Sequence, residues 1–247
     1  RVAATADSTL LAPDRWATFE KSDCVRLFGL DLTAPARRAE LIRDLGCGLG
    51  QRDWTSVLEA GAHCDFRIAD HDHDGLLSLL TEFEAFTDPV QKKSVFFLAL
   101  MSNSGLWTYA DPEMLPAPVD YHELRGHLRI GTVRLETSLR RRIEKHQLIS
   151  VEEDVAVRAA VRDAIEKISG EVEKSPNALH YFFWNLFRTY CVRKTPDCQG
   201  TEVAAFPEVY ATAIRPIASS ACPFVSVCDS ANQSDAIDDP LVITEYY

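Results

Sequence analysis

The chain is expected to be all-α, and three observations predict it. Few stretches alternate polar and apolar residues with the period of two that a half-buried strand needs. Apolar residues recur instead at helical spacing through several long segments. Those segments open on Ser, Asp or Pro, and several close near Gly, as helices do. At 247 residues and 46% hydrophobic content, the chain can build a full core as one large domain or two small ones.

The elements follow in order. APARRAELIRDLGCGLG (34–50) opens with Pro35, carries spaced Leu and Ile, and stops at glycines. LLSLLTEFEAF (76–86) has helical spacing. VQKKSVFFLALMSNSG (90–105) follows Pro89 and ends near Gly105. GLWTYADPEMLPAP, with three prolines, reads as a loop. DYHELRGHLRIG (120–131) is a short helix that Asp120 can cap. SVEEDVAVRAAVRDAIEKISGEV (150–172) starts on a capping box of Ser150 and Glu153 and is the clearest amphipathic helix. NALHYFFWNLFRTYC (177–191) is more apolar and leads into a cysteine-rich region. The tail from Cys228 has no strong pattern.

No run approaches the eighteen apolar residues of a membrane span, so no membrane association is expected. Net charge is −11, a field that opposes binding along a phosphate backbone. Arg125, Arg129, Arg134, Arg140, Arg141 and Arg142 read either as a local basic patch or as a solvated helix face. Seven cysteines, an odd number with no secretory signal in view, point to reduced thiols inside the cell, in cytoplasm or nucleoid.

Four of these cysteines form two pairs, Cys191-x6-Cys198 and Cys222-x5-Cys228. Four thiolates suit Zn²⁺ or an iron–sulfur cluster. Structural zinc favours tighter gaps, about two to four residues. The longer gaps here favour a [4Fe-4S] cluster, with Zn as the alternative. Arg193 and Lys194 would offset the charge of ligated thiolates. The plainer reading is four buried, unligated cysteines.

LHYFFWNLFRTYCVRKTPDC resembles the segment of endonuclease III and its relatives, the helix-hairpin-helix DNA glycosylase superfamily, in which a helix runs into a Cys-x6-Cys-x2-Cys-x5-Cys site for a [4Fe-4S] cluster. The preceding helix and the outer gaps match. The middle gap is twenty-three residues, Gln199 to Ala221, instead of two. A long insertion costs little closure entropy. The resemblance implies Cys191, Cys198, Cys222 and Cys228 as cluster ligands.

VDYHELRGHLRIG (119–131) is similar to the superfamily pattern V-D-T-H-x-x-R-x-x-x-R-x-G, with Val119, Asp120, His122, Arg125, Arg129 and Gly131 in register and Tyr121 replacing Thr. The resemblance makes Asp120 the catalytic residue. Cleaving an N-glycosidic bond passes through an oxocarbenium-like sugar, which an anion stabilises or for which it activates water. A helix N-terminus holds the carboxylate ionised. The plain alternative for Asp120 is a helix cap alone.

The superfamily's hairpin, L-P-G-V-G-x-K-[TS]-A, has its counterpart in TDPVQKKSV (87–95). Val90, Lys93 and Ser94 correspond, and Lys93 takes the place of the Schiff-base nucleophile of lyase members. Its other reading is a solvated lysine beside Lys92. Pro89 and Gln91 replace the glycines. Pro89 has no N–H, and Gln91 is ill-suited to positive φ, so a phosphate-gripping hairpin is not expected.

A fainter likeness to the queuosine-salvage nucleoside glycosidases rests on DPVQKKSVFFLAL, VDYHELRGHLRIG and Tyr246-Tyr247. The combined resemblance spans roughly residues 87–228. It implies a two-lobed, glycosylase-like, all-α body with a C-terminal four-cysteine iron–sulfur site. Residues 30–118 would form one helical lobe with a degenerate hairpin, and 1–29 plus 119–247 the second, with the cluster loop. The implied activity is N-glycosidic hydrolysis of a base in DNA, flipped into a pocket beside Asp120. The alternatives are a free modified nucleoside as substrate, or a non-catalytic iron–sulfur protein that binds nucleic acid. His122 and Trp107 are the substrate-binding candidates, Trp107 as a stacking platform. Trp184, inside YFFW, reads as core. DHDHDG (70–75) resembles the start of a calcium loop but has Thr81 at its twelfth position, so a polar loop is the better reading. AHCD (62–65), His71 and His73 complete no metal set.

Overall fold

The computed structural model describes residues 12–69, 75–193, 195–200, 221–231, 233, 236–244 and 246. The DHDHDG loop except Gly75, Lys194, Tyr247 and most of the 199–221 insertion lie outside the described residues. Among those described there is no strand, only an isolated parallel bridge between Leu148 and Leu241. The described residues contain ten α-helices; the six segments read as helical from the sequence are among them, the one at 76–86 only in part, and four others were not expected. No described helix is long and apolar enough to cross a membrane.

The chain divides into two compact units at Met114–Leu115. The first contains α1 (Pro13–Ala17), α2 (Lys21–Phe28), α3 (Pro35–Gly50), α4 (Val57–His63), α5 (Leu76–Thr81) and α6 (Lys92–Asn103). Residues 12–29 thus belong here and not with the second lobe, as the family-based division had them. The reason is local packing. A Cβ on Gly46 would sit 2.3 Å from the Ala17 nitrogen, so only glycine lets α1 lie this close to α3. Arg43 then donates to the Phe19 carbonyl at 2.8 Å, tying the α1–α2 corner to the same helix.

The predicted helix 76–86 breaks after Thr81. Phe83 turns inward over Gly48, where a side chain would collide with its ring. Asp44 then accepts the Glu84 amide at 2.7 Å, starting a separate short turn at Glu84–Phe86.

The second unit contains α7 (Tyr121–Ile130), α8 (Thr137–Glu144), α9 (Val151–Val172) and α10 (Pro176–Tyr190). α9 begins on the predicted capping box, Ser150 with Glu153. Leu124 and Leu128 of α7, Val157, Val161 and Ile165 of α9, and Phe183, Leu186 and Phe187 of α10 share one buried core. Gly126 lets α7 approach α10, because a Cβ there would lie 2.2 Å from the Phe187 ring. The segments after α10 return to α7: Ser230 donates its amide to the Arg129 carbonyl at 3.0 Å, and Asp229 to that of Ile130 at 3.3 Å.

Candidate functional site

Asp120 is the N-cap of α7, in the extended conformation a cap requires. Its Oδ1 accepts the amides of His122 at 2.8 Å and Glu123 at 3.2 Å. Its Oδ2 accepts the indole N–H of Trp184 at 2.8 Å. A carboxylate has about four acceptor positions, so one on Oδ2 is left. The side chain does not point into bulk water, since the residue is only 8% exposed. Arg158, paired with Asp154 at 2.7 Å, donates to the Val119 carbonyl and fixes the backbone just before it.

Behind the cap lies a buried acid–histidine pair that sequence reasoning missed. Glu123 Oε2 accepts the Asp120 amide at 3.1 Å, and His180 Nδ1 lies 2.9 Å from Glu123 Oε1. Burial pushes the Glu123 carboxyl above its ordinary range, with His180 opposing that rise. The pair joins α7 to α10 beneath Asp120.

His122 faces Arg125, whose Nη2 is 3.0 Å from His122 Nδ1. A guanidinium only donates, so Nδ1 carries the lone pair and Nε2 the proton. Burial lowers the His122 pKa, and the charge of Asp120 opposes this. His122 is therefore a neutral N–H donor beside Asp120. Its ring lies 4.2 Å from that of Tyr121 and 6.1 Å from that of Trp184.

The other motif arginines are structural. Arg125 is 2% and Arg129 1% exposed, so neither contributes to a basic surface patch. Arg125 donates to the Cys191 carbonyl and to Asp239, each at 2.5 Å. Arg129 donates to the carbonyls of Val192 and Ile237 at 2.8 and 2.7 Å. Burial raises the Asp239 pKa, but Arg193 and Arg125 outweigh it and hold the carboxyl below its usual range. Arg134, Arg140 and Arg142 each pair with a carboxylate, of Asp229, Glu144 and Glu153.

Cys191, Cys198, Cys222 and Cys228 line one cavity, with Arg129, Phe187 and Phe224 among its walls. The Cys222 amide donates to the Cys198 carbonyl at 2.9 Å, closing the base of the long insertion. The amides of Phe224 and Ser230 hydrogen-bond the sulfurs of Cys222 and Cys228, two residues behind each. Burial raises the pKa of both thiols, and these amide bonds oppose that rise. Without a ligand, burial pushes the Cys191 thiol up to about 12, Arg129 opposing. Among the described residues no three His, Cys, Asp or Glu side chains converge enough to hold a single metal ion. A tetrahedral zinc site draws four sulfurs to within about 2.3 Å of one point. The four thiols border a shared cavity beside Arg129 and the Phe187 and Phe224 rings.

Lys93 and Trp107 lie in the first unit. Trp107 is 3% exposed and packs edge-on against Phe66, Phe97 and Tyr109. It offers no face for a base to stack on, which corrects the platform expected of it. Lys93 lies in the first turn of α6, and its amide donates to Asp88 at 3.1 Å. Asp88 also accepts the Lys92 amide at 2.7 Å and is itself buried. Gln91 takes φ +53°, the left-handed conformation that its residue type argued against. The hairpin turn therefore forms with a carboxylate already seated on the amides at its helix start.

Trp184 is a second residue that sequence reasoning placed wrongly. It is half-buried, and its N–H goes to Asp120, not to the core. No spacing signal could pair residues 64 positions apart. No family model matches this chain, and no curated protein matches it.

Proposed function

We propose that the second unit carries an N-glycosidic-bond hydrolase centred on Asp120, acting on a base in nucleic acid. The supporting observation is the Asp120 carboxylate, oriented by two amides and an indole N–H with one acceptor position left. An anion held this way is preorganised to stabilise positive charge at a sugar carbon or to accept a proton from an attacking water. His122 carries its N–H on Nε2, the nitrogen not taken by Arg125. Cys191, Cys198, Cys222 and Cys228 would hold a [4Fe-4S] cluster, whose part is to pin the tail to α7 and α10. The resemblance to the helix-hairpin-helix glycosylases points the same way.

Two observations favour a free modified nucleoside as substrate instead. Asp88 occupies the α6 amides that would otherwise be open to a backbone phosphate, and the net charge of −11 repels a long polyanion.

Asp120→Asn tests the reading. Asn also caps helices well, so the fold is expected to persist while base release falls by about a hundredfold or more. Modified-base oligonucleotides and free nucleosides serve as parallel substrates. Unchanged turnover by the variant rules out the proposed chemistry. A Schiff-base route through Lys93 is checked separately, since borohydride would then trap a protein–DNA adduct.

A further inference from the structure

A single peptide group, the one joining Val119 to Asp120, is held at both ends by buried charge. Its carbonyl accepts from Arg158 of α9 at 3.2 Å, and its amide donates to Glu123 of α7 at 3.1 Å. Each of these side chains is backed by a second one. Asp154 accepts from Arg158 at 2.7 Å, and His180 of α10 stands 2.9 Å from the other oxygen of Glu123. All four residues are 5% exposed or less. One turn beyond His180, Trp184 reaches the Asp120 carboxylate itself.

A helix cap does not call for this. Ser150 and Glu153 make the same capping box at the head of α9 with the Glu153 side chain 32% exposed. Nor does stability account for it. Taking charged pairs out of water is costly, and apolar side chains of similar volume often serve a fold as well or better. What the buried pairs supply is direction. The carbonyl and amide of a trans peptide point opposite ways, so bonds at both ends stop the plane from turning. That plane ends on the Asp120 Cα and sets where the carboxylate stands. A charge that stabilises a reacting carbon works only from a narrow range of positions, and about 1 Å of misplacement can cost a hundredfold in rate.

We propose that Glu123–His180 and Asp154–Arg158 are positioning pairs, which fix Asp120 for its reaction without touching the substrate. This rests on the N-glycosidase reading for the chemistry of Asp120, and it extends the site by four residues from three helices.

Two replacements test it. Asp154→Leu with Arg158→Met exchanges one pair for apolar side chains of similar length. Glu123→Gln keeps an acceptor for the Asp120 amide and removes the charge facing His180. The readouts are base release and the Trp184 indole N–H resonance in a proton–nitrogen spectrum, assigned by its loss in Trp184→Phe. That resonance reports on the Asp120 carboxylate whether or not any substrate turns over. Both replacements are expected to lower kcat about tenfold or more, leave KM within about twofold and displace the indole resonance. The melting temperature of the double variant should stay near that of the wild type or rise, a split that a merely structural pair would reverse. Arg158→Lys, with one donor group in place of the fork, is expected to retain part of the rate. Should the double variant not fold, Glu123→Gln decides alone. An indole resonance at its wild-type position in both replacements overturns the proposal, and so does wild-type kcat in both. A kcat that falls in Asp120→Asn but in neither replacement leaves the hydrolase and removes the positioning pairs. A displaced indole resonance, in a protein that releases no base from any substrate, keeps the pairs and removes the hydrolase.

Discussion

The carboxylate of Asp120 is doing two jobs, and the second depends on Trp184. Two amides are enough to cap α7. The indole N–H adds a third bond on the other oxygen and sets the plane of the group. Trp184→Phe keeps the ring and removes the donor. Base release is expected to fall about tenfold or more, for the loss of one oriented hydrogen bond of roughly 1.5 kcal/mol or above. Circular dichroism should be unchanged, and an unaltered rate would deny Trp184 an orienting part. His127 makes a separate residue-scale prediction. It is fully buried against Phe183 and Phe187, and burial lowers its pKa from 6.5 to about 4. Below pH 6.5 the unfolded chain takes up a proton that the folded chain refuses. Stability is therefore full above that pH and falls on acidification towards pH 4, by about 3 kcal/mol from this group. Denaturant midpoints between those limits measure the loss, which should shrink in His127→Gln.

The helices depend on a few contacts made possible by small residues. α7 and α10 meet where Gly126 faces the Phe187 ring, at a distance that excludes any side chain. Gly126→Ala improves helix propensity by about 1 kcal/mol, yet the ring has no room to move in a shared core. Overpacking of this kind costs about 1–3 kcal/mol. A net loss of stability is expected, with weaker Trp184–Asp120 contact read as lower base release. A stabilised variant would contradict the packing described. At the start of α6, the sequence argued against positive φ at Gln91, and the structure adopts it. Asp88 explains the difference: its carboxylate takes both first-turn amides, and these bonds offset the strain of a left-handed glutamine. The helix predicted at 76–86 broke for a comparable reason. Periodicity sees Phe83 as one more apolar position, whereas the groove over Gly48 claims its ring.

Across the second unit, α7 acts as the strut to which distant chain segments are tied. Arg125 and Arg129 reach the Cys191–Val192 backbone and the Ile237–Asp239 tail together. Asp239→Asn would leave buried Arg125 with only the longer contact to Asp238, at 4.0 Å. Breaking such a pair costs about 3–5 kcal/mol, so a lower melting temperature is expected, with early proteolysis of the tail. Cys222→Ser should remove the broad visible absorbance of a [4Fe-4S] cluster and destabilise the same region. A colourless wild-type protein holding no iron would refute the cluster itself.

The sequence by itself determined the all-α class, the helices α3, α6, α7, α9 and α10, and the pairing of Asp120 with α7. These are local properties: a cap, a period and a stop signal act within a few residues, and their energies are written in the order of the chain. Tertiary structure alone decided that Trp184 meets Asp120, that Arg125 and Arg129 are buried struts, that Trp107 is core, and that residues 12–29 join the first unit. Each of these depends on which surfaces come within van der Waals or hydrogen-bond reach after the chain closes on itself. Short-range interactions between residues far apart in order leave no periodic trace, so they become visible only once the helices have packed.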